Sequence, residues 1–169
     1  FSKGLGAPVG AALAGSRDFI DEAWRLKQQM GGAMRQAGII AAGALYGLRH
    51  NVDRLTLDHA NARRLAEGLA ELPGIAIDPA RVETNILFFD ITRPGLSAKA
   101  FDEGLKAHGV RMGAVGPRRV RAVTHLDVDR DGIDRALGAA RAVLARPGAR
   151  FRLARMRAIS SSGLHGLPR

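Results

Sequence analysis

Pro73-Gly74 splits the sequence into two stretches of different hydrophobic rhythm. A proline followed by a glycine neither continues a helix nor fits a central strand, so each stretch has to be read separately. Upstream, the apolar residues recur at helical spacing: Val52, Leu55, Ala62, Ala66, Leu69 and Leu72 share one side of a helix opened by Asn51. Arg54, Asp58, Arg63 and Glu67 fall largely on its other sides. Downstream, short apolar runs alternate with helical patterns. Thr84 to Thr92, with Ile86, Leu87, Phe88 and Phe89 in succession, predicts a buried strand. Ser97 caps a helix running to about His108, and Val110 to Val115 and Val120 to Thr124 predict two short strands. Asp131 to Ala145 closes the pattern as a helix burying Ile133, Leu137, Ala140 and Leu144. These elements predict a small α+β unit with its helices packed on one sheet face.

The first fifty residues follow another logic. Val9 to Ala14 is a short apolar run that predicts a strand, ended by Gly15 and by Ser16 as a helix cap. Asp18 lies in the first turn, where the helix dipole favours an anion, and Phe19, Ile20, Ala23 and Trp24 share a face of the helix that ends before Gly31 and Gly32. Met34 to Leu48 is small and apolar on nearly all sides, the composition of a helix packed within a protein or against a second subunit. Its three glycines each cost about 1 kcal/mol of helix propensity relative to alanine, which close packing must offset.

Hydrophobic residues at 46% and charged residues at 25% are those of a folded globular chain. With no cysteine there is no disulfide framework, cysteine metal site or thiol nucleophile, and a cytoplasmic setting is the expectation. No run reaches the roughly 18 apolar residues of a membrane helix, so no membrane association is expected. The net charge of +10 raises nucleic-acid binding as a possibility. Its location argues against that reading: six arginines and no acids lie between Arg146 and Arg169, leaving 20 basic against 16 acidic residues before them. A basic tail with Phe151 as its sole aromatic residue is expected to be a solvated, disordered extension, loosest around Ser160, Ser161, Ser162 and Gly163.

Two motifs are decoys. Gly4, Gly6 and Gly10 leave one residue too many for a dinucleotide loop. Asp127, Asp129, Asp131 and Gly132 imitate the start of a calcium loop, but its twelfth position is Gly138 where a bidentate glutamate is needed, so Asp129 and Asp131 are read as residues opening a helix. The histidines His50, His59, His108, His125 and His165 show no metal-ligand spacing; His59 interrupts an apolar face and is expected to be a satisfied core residue. Lys3, in Ser2-Lys3-Gly4-Leu5-Gly6-Ala7-Pro8-Val9-Gly10, stands among residues small enough to let a bulky cofactor approach a nucleophilic amine. By spacing alone it reads as an ordinary loop lysine.

That segment resembles the lysine segment of the threonine aldolases and of the wider beta-eliminating lyase group. Two further stretches match in order: GGAMRQAG at Gly31 to Gly38 and VRAVTHLDV at Val120 to Val128. The resemblance covers nearly all of residues 1–145. It implies an α/β parent of the aspartate aminotransferase-like fold type I. Residues 1–50 would end the large domain that binds pyridoxal 5'-phosphate (PLP), 51–72 would form a long connecting helix, 73–145 a small α+β C-terminal domain, and 146–169 the basic tail. Lys3 would be the catalytic lysine that carries PLP, Arg35 a cofactor-binding arginine near the phosphate of the neighbouring subunit, and Arg121 the guanidinium that grips the substrate carboxylate. Without the resemblance, Arg35 reads as a helix-end arginine paired with a carboxylate and Arg121 as a solvated edge-strand residue. One departure stands out: Gln28, with Lys27 beside it, occupies the place of a lysine common in the family.

The implied reaction is aldol cleavage of a beta-hydroxy amino acid, with threonine or allo-threonine giving glycine and acetaldehyde, in a homo-oligomer. Because the family places much of its cofactor cradle upstream of the lysine, and the chain opens on Phe1 in what reads as the middle of something, the sequence reads as the C-terminal part of such an enzyme, inactive by itself. The alternatives are another fold type I enzyme, an aminotransferase or an eliminating lyase, and a non-enzymatic truncated product acting through dimer contacts or its basic tail.

Overall fold

A computed structural model describes residues 1–145; the basic tail, and the disorder expected of it, lie outside the described residues. The Ser16 hydroxyl accepts a hydrogen bond from the Phe19 backbone N–H and opens helix α1 (Arg17–Gln29), as the capping pattern predicts. Helix α2 (Gly38–His50) and helix α3 (Leu55–Ala70) follow. After Gly74 come strand β1 (Ile75–Ala76), strand β2 (Ile86–Ile91), helix α4 (Ala98–Lys106), strand β3 (Gly113–Ala114), strand β4 (Arg119–Val123) and helix α5 (Arg130–Ala145). Ser97 caps α4 by accepting from Ala100 N–H, and Asp129 accepts from Gly132 N–H at 2.7 Å where α5 begins.

The four strands form one antiparallel sheet in the order β1-β2-β4-β3. Leu87, Phe89 and Ile91 of β2 and Val120 and Ala122 of β4 point to one face and are buried. Against them pack Ala62, Leu65, Ala66 and Leu69 of α3, Ala98, Phe101 and Leu105 of α4, and Ile133, Leu137 and Ala140 of α5. Phe89 and Phe101 meet edge to face at 6.0 Å, the arrangement their ring quadrupoles favour. This is the α+β unit expected from the second rhythm, within a mixed α/β chain. Its apolar core runs from Ala62 to Val143, so the core is built downstream of the first fifty residues.

Five expectations are corrected. Residues 9–14 form no strand: they pair with none of the four strands, so the apolar run has no ladder partner for its backbone, and Val9 and Leu13 are exposed. The helix expected from Met34 starts at Gly38, because Gln36 takes a left-handed φ of 51° that breaks the ladder before it. Asn51 opens no helix; it caps the end of α2, and α3 starts at Leu55. Strand β2 is buried on one face, not two: Ile86 and Phe88 alternate with the core residues and remain exposed. His59 is exposed, and the polar residue buried in α3 is its neighbour Asp58.

Candidate active site

Lys3 lies in a short 3-10 turn, Lys3–Leu5, with a positive φ of 69°. A non-glycine residue in this region costs of order 1–3 kcal/mol and persists where its surroundings over-determine it. Here the turn's carbonyls are accounted for one by one. Phe1 O accepts from Ala7 N–H, Lys3 O from Gly6 N–H, Gly4 O from Arg54 Nη1 at 2.8 Å, and Leu5 O from the Asn51 side-chain amide at 2.9 Å. Two glycines let the backbone come this close. A Cβ on Gly4 would overlap the Asp58 carboxylate, and one on Gly47 would sit 2.6 Å from Leu5 O.

The Lys3 side chain is exposed and makes no hydrogen bond or ion pair among the described residues. It borders a depression of about 310 Å³ walled by Gly6, Ala7, His125, Leu126 and Asp127. The opposite wall is the turn that leaves β4. There His125 Nδ1 accepts from Asp127 N–H at 3.3 Å and lies 3.5 Å from the Asp127 carboxylate. Thr124, buried at the start of that turn, donates through its hydroxyl to Asp58 O at 2.7 Å, and its backbone N–H donates to Asn85 O. Arg54, directly before α3, and Asp58 within it thus reach both walls.

Arg121 lies on β4, paired with Phe88 of β2 and Gly113 of β3, on the sheet face away from the helices. It is half-buried, without a hydrogen-bond or ion-pair partner among the described residues, and does not line the depression. Arg35 is exposed in the turn before α2 and is likewise outside it. Of the three candidates, then, this chain brings Lys3 to the depression and places Arg121 on the strand leading to its far wall. Lys27, beside the departing Gln28, stacks over the Trp24 ring at 4.3 Å.

Sequence reasoning missed Arg54 and Asp58. Arg54 donates through Nη2 to Asp58 Oδ1 at 2.8 Å and through Nη1 to Oδ2 at 3.2 Å, and Asp58 is fully buried. Two opposite charges four residues apart on a helix read as a solvated pair; the one available signal was that Asp58 is three and four residues before Asn61 and the core residue Ala62, on the buried side.

Comparison with known proteins bears on the lineage. Residues 1–92 match the family model described as Beta-eliminating lyase. The low specificity L-threonine aldolase of Escherichia coli (strain K12) is 45% identical over 145 residues, covering 86% of this chain and 41% of that protein. Low-specificity L-threonine aldolase 1 of Arabidopsis thaliana is 41% identical over 125 residues, 73% of this chain and 35% of its own length. The chain therefore spans about two fifths or less of these curated relatives. Among solved structures, the cystine C-S lyase C-DES in complex with its reaction product cysteine persulfide superposes with a TM-score of 0.51 at 21% identity, over 62% of this chain and 28% of that one, a likeness of fold. Lysine, glycine-lined turn and far wall lie within a chain whose first 92 residues carry the family pattern, and the chain belongs to the beta-eliminating lyase family.

Proposed function

We propose that the whole protein to which these residues belong is a PLP-dependent aldolase that cleaves a beta-hydroxy amino acid, threonine or allo-threonine, to glycine and acetaldehyde. The observation that carries this reading is the unpaired amine of Lys3 at a depression whose far wall continues from the Arg121 strand. The likeness to threonine aldolases of two organisms supports the choice of reaction.

The residues present fit the lysine end of the cofactor. A primary amine with no competing partner among the described residues borders an open space, and the neighbouring Gly6 and Ala7 carry no side chain large enough to fill it. When bound, PLP supplies an electron sink for the bond between the alpha and beta carbons. Lys3 would hold the cofactor through its side-chain amine. Arg121, with its guanidinium uncommitted, suits the substrate carboxylate, since its planar fork matches two carboxylate oxygens. Arg35 suits the cofactor phosphate from an adjoining subunit in a homo-oligomer. That arrangement also accounts for the largely apolar surface of α2, where Ile39 is 82% exposed. His125 lines the wall facing Lys3, where an imidazole can hydrogen-bond to a substrate. A large PLP-binding domain ending near residue 50, a connecting segment to residue 72 and a small domain to residue 145 complete the reading, with a cytoplasmic setting.

The test is product identity. The full-length protein, supplied with PLP and L-threonine or L-allo-threonine, is expected to release glycine and acetaldehyde in equal amounts. A keto acid or ammonia in their place assigns it to an aminotransferase or an eliminating lyase.

A further inference from the structure

We propose that Arg54 and Asp58 are positioning residues that set the Lys3 turn and the opposite wall of the depression together, an inference that rests on Lys3 being the cofactor lysine. Asp58 is a fully buried carboxylate, which a protein tolerates only when it is paired and hydrogen-bonded. Its partner one turn earlier grips both of its oxygens. The order, base before acid, is the less favourable one for an isolated helix, so helix propensity does not account for the pair. The third contact of the group explains it better: Arg54 Nη1 also donates to Gly4 O, the carbonyl next to Lys3.

The turn is seated on the pair. Gly4 lies against the Asp58 carboxylate so closely that no larger residue fits, and Asn51 holds the next carbonyl. Lys3 keeps its left-handed backbone, with φ of 69°, directly before these anchors. From the other side, the Asp58 carbonyl receives the Thr124 hydroxyl at 2.7 Å, and the chain then turns through His125, Leu126 and Asp127. A single buried residue of α3 therefore touches both segments that frame the depression. If Arg54 is lost, the Gly4 carbonyl is released and the carboxylate beneath it is left without its cation, while the core residues of α3 keep their packing.

Hydrogen exchange and steady-state kinetics on the full-length PLP-loaded protein test this. In Arg54→Met the hydrogen-bonded amides of the turn, Gly6 and Ala7, should exchange at least about 10-fold faster, with β2 and α5 unchanged, since a local opening leaves the rest of the core protected. The kcat should fall about 10-fold or more with KM within about 2-fold, the pattern of a misplaced reacting group. Arg54→Lys, which keeps the charge but not the fork, should recover part of both. Arg64→Met, which removes the exposed partner of Asp134 on the same helix, is the control and should change neither. Where Arg54→Met fails to fold, Asp58→Asn, of the same shape, should show the same local loss in smaller measure. Protection at Gly6 and Ala7 equal to wild type, or an equal loss throughout the protein, overturns the proposal. Full turnover by Lys3→Ala overturns it together with the reading of Lys3, whereas an inactive Lys3→Ala beside an unaltered Arg54→Met overturns the positioning role alone.

Discussion

Thr124 shows how much a single side chain carries near the candidate site. Its hydroxyl is buried and donates to the Asp58 carbonyl, a bond between the end of a strand and a helix far from it in sequence. Thr124→Val keeps the shape and removes the donor, leaving a buried carbonyl short of a partner. It should destabilise the fold by about 1–3 kcal/mol in chemical denaturation. Legibility at this scale was uneven. Lys3 stood out because of the small residues around it, and its meaning came from a resemblance rather than from spacing. Asp58 did not stand out, since a charged residue in an amphipathic helix is ordinarily placed in solvent. Its neighbour His59 took the core position in the sequence reading, one residue and about 100° of helix away. That Arg121 has no hydrogen-bond or ion-pair partner among the described residues could be read only from the structure, because it depends on neighbours far away in sequence.

Strand β2 carries two adjacent phenylalanines with opposite fates. Phe89 is buried against Phe101, whereas Phe88 lies on the open face with the Arg119 guanidinium 5.5 Å from its ring centre. Phe89→Ala should cost about 3–5 kcal/mol and Phe88→Ala about 1 kcal/mol or less in the isolated chain, because only the first leaves a cavity. Equal losses would mean that the alternation is misassigned. The sequence read the run Ile86 to Phe89 as buried on both faces because its open-face positions are as apolar as its core positions, a pattern that period-two reasoning cannot separate. The capped helices α1 and α4 were legible through Ser16 and Ser97, whose hydroxyls act within one turn of chain. Strand β1 escaped notice: two residues carry no periodicity, and its pairing with Ile91 and Asp90 is set by the fold around it.

Across the molecule, the apolar core lies between Ala62 and Val143, while α1 and α2 bury little. Phe19, Trp24, Ile39 and Tyr46 are all exposed on these two helices. The division at Pro73-Gly74 foretold the α+β unit, since periodicity is a local property of the chain. It could not foretell that α3, upstream of the division, supplies one wall of the same core, because that depends on contacts far apart in sequence. The account as a whole turns on Lys3, and its most direct test treats the full-length PLP-loaded protein with borohydride and maps the modified peptide. The account predicts a reduced pyridoxyl group on Lys3, lost in Lys3→Ala. A label on Lys27, Lys99, Lys106 or a lysine elsewhere in the protein, with Lys3 unmodified, would contradict it.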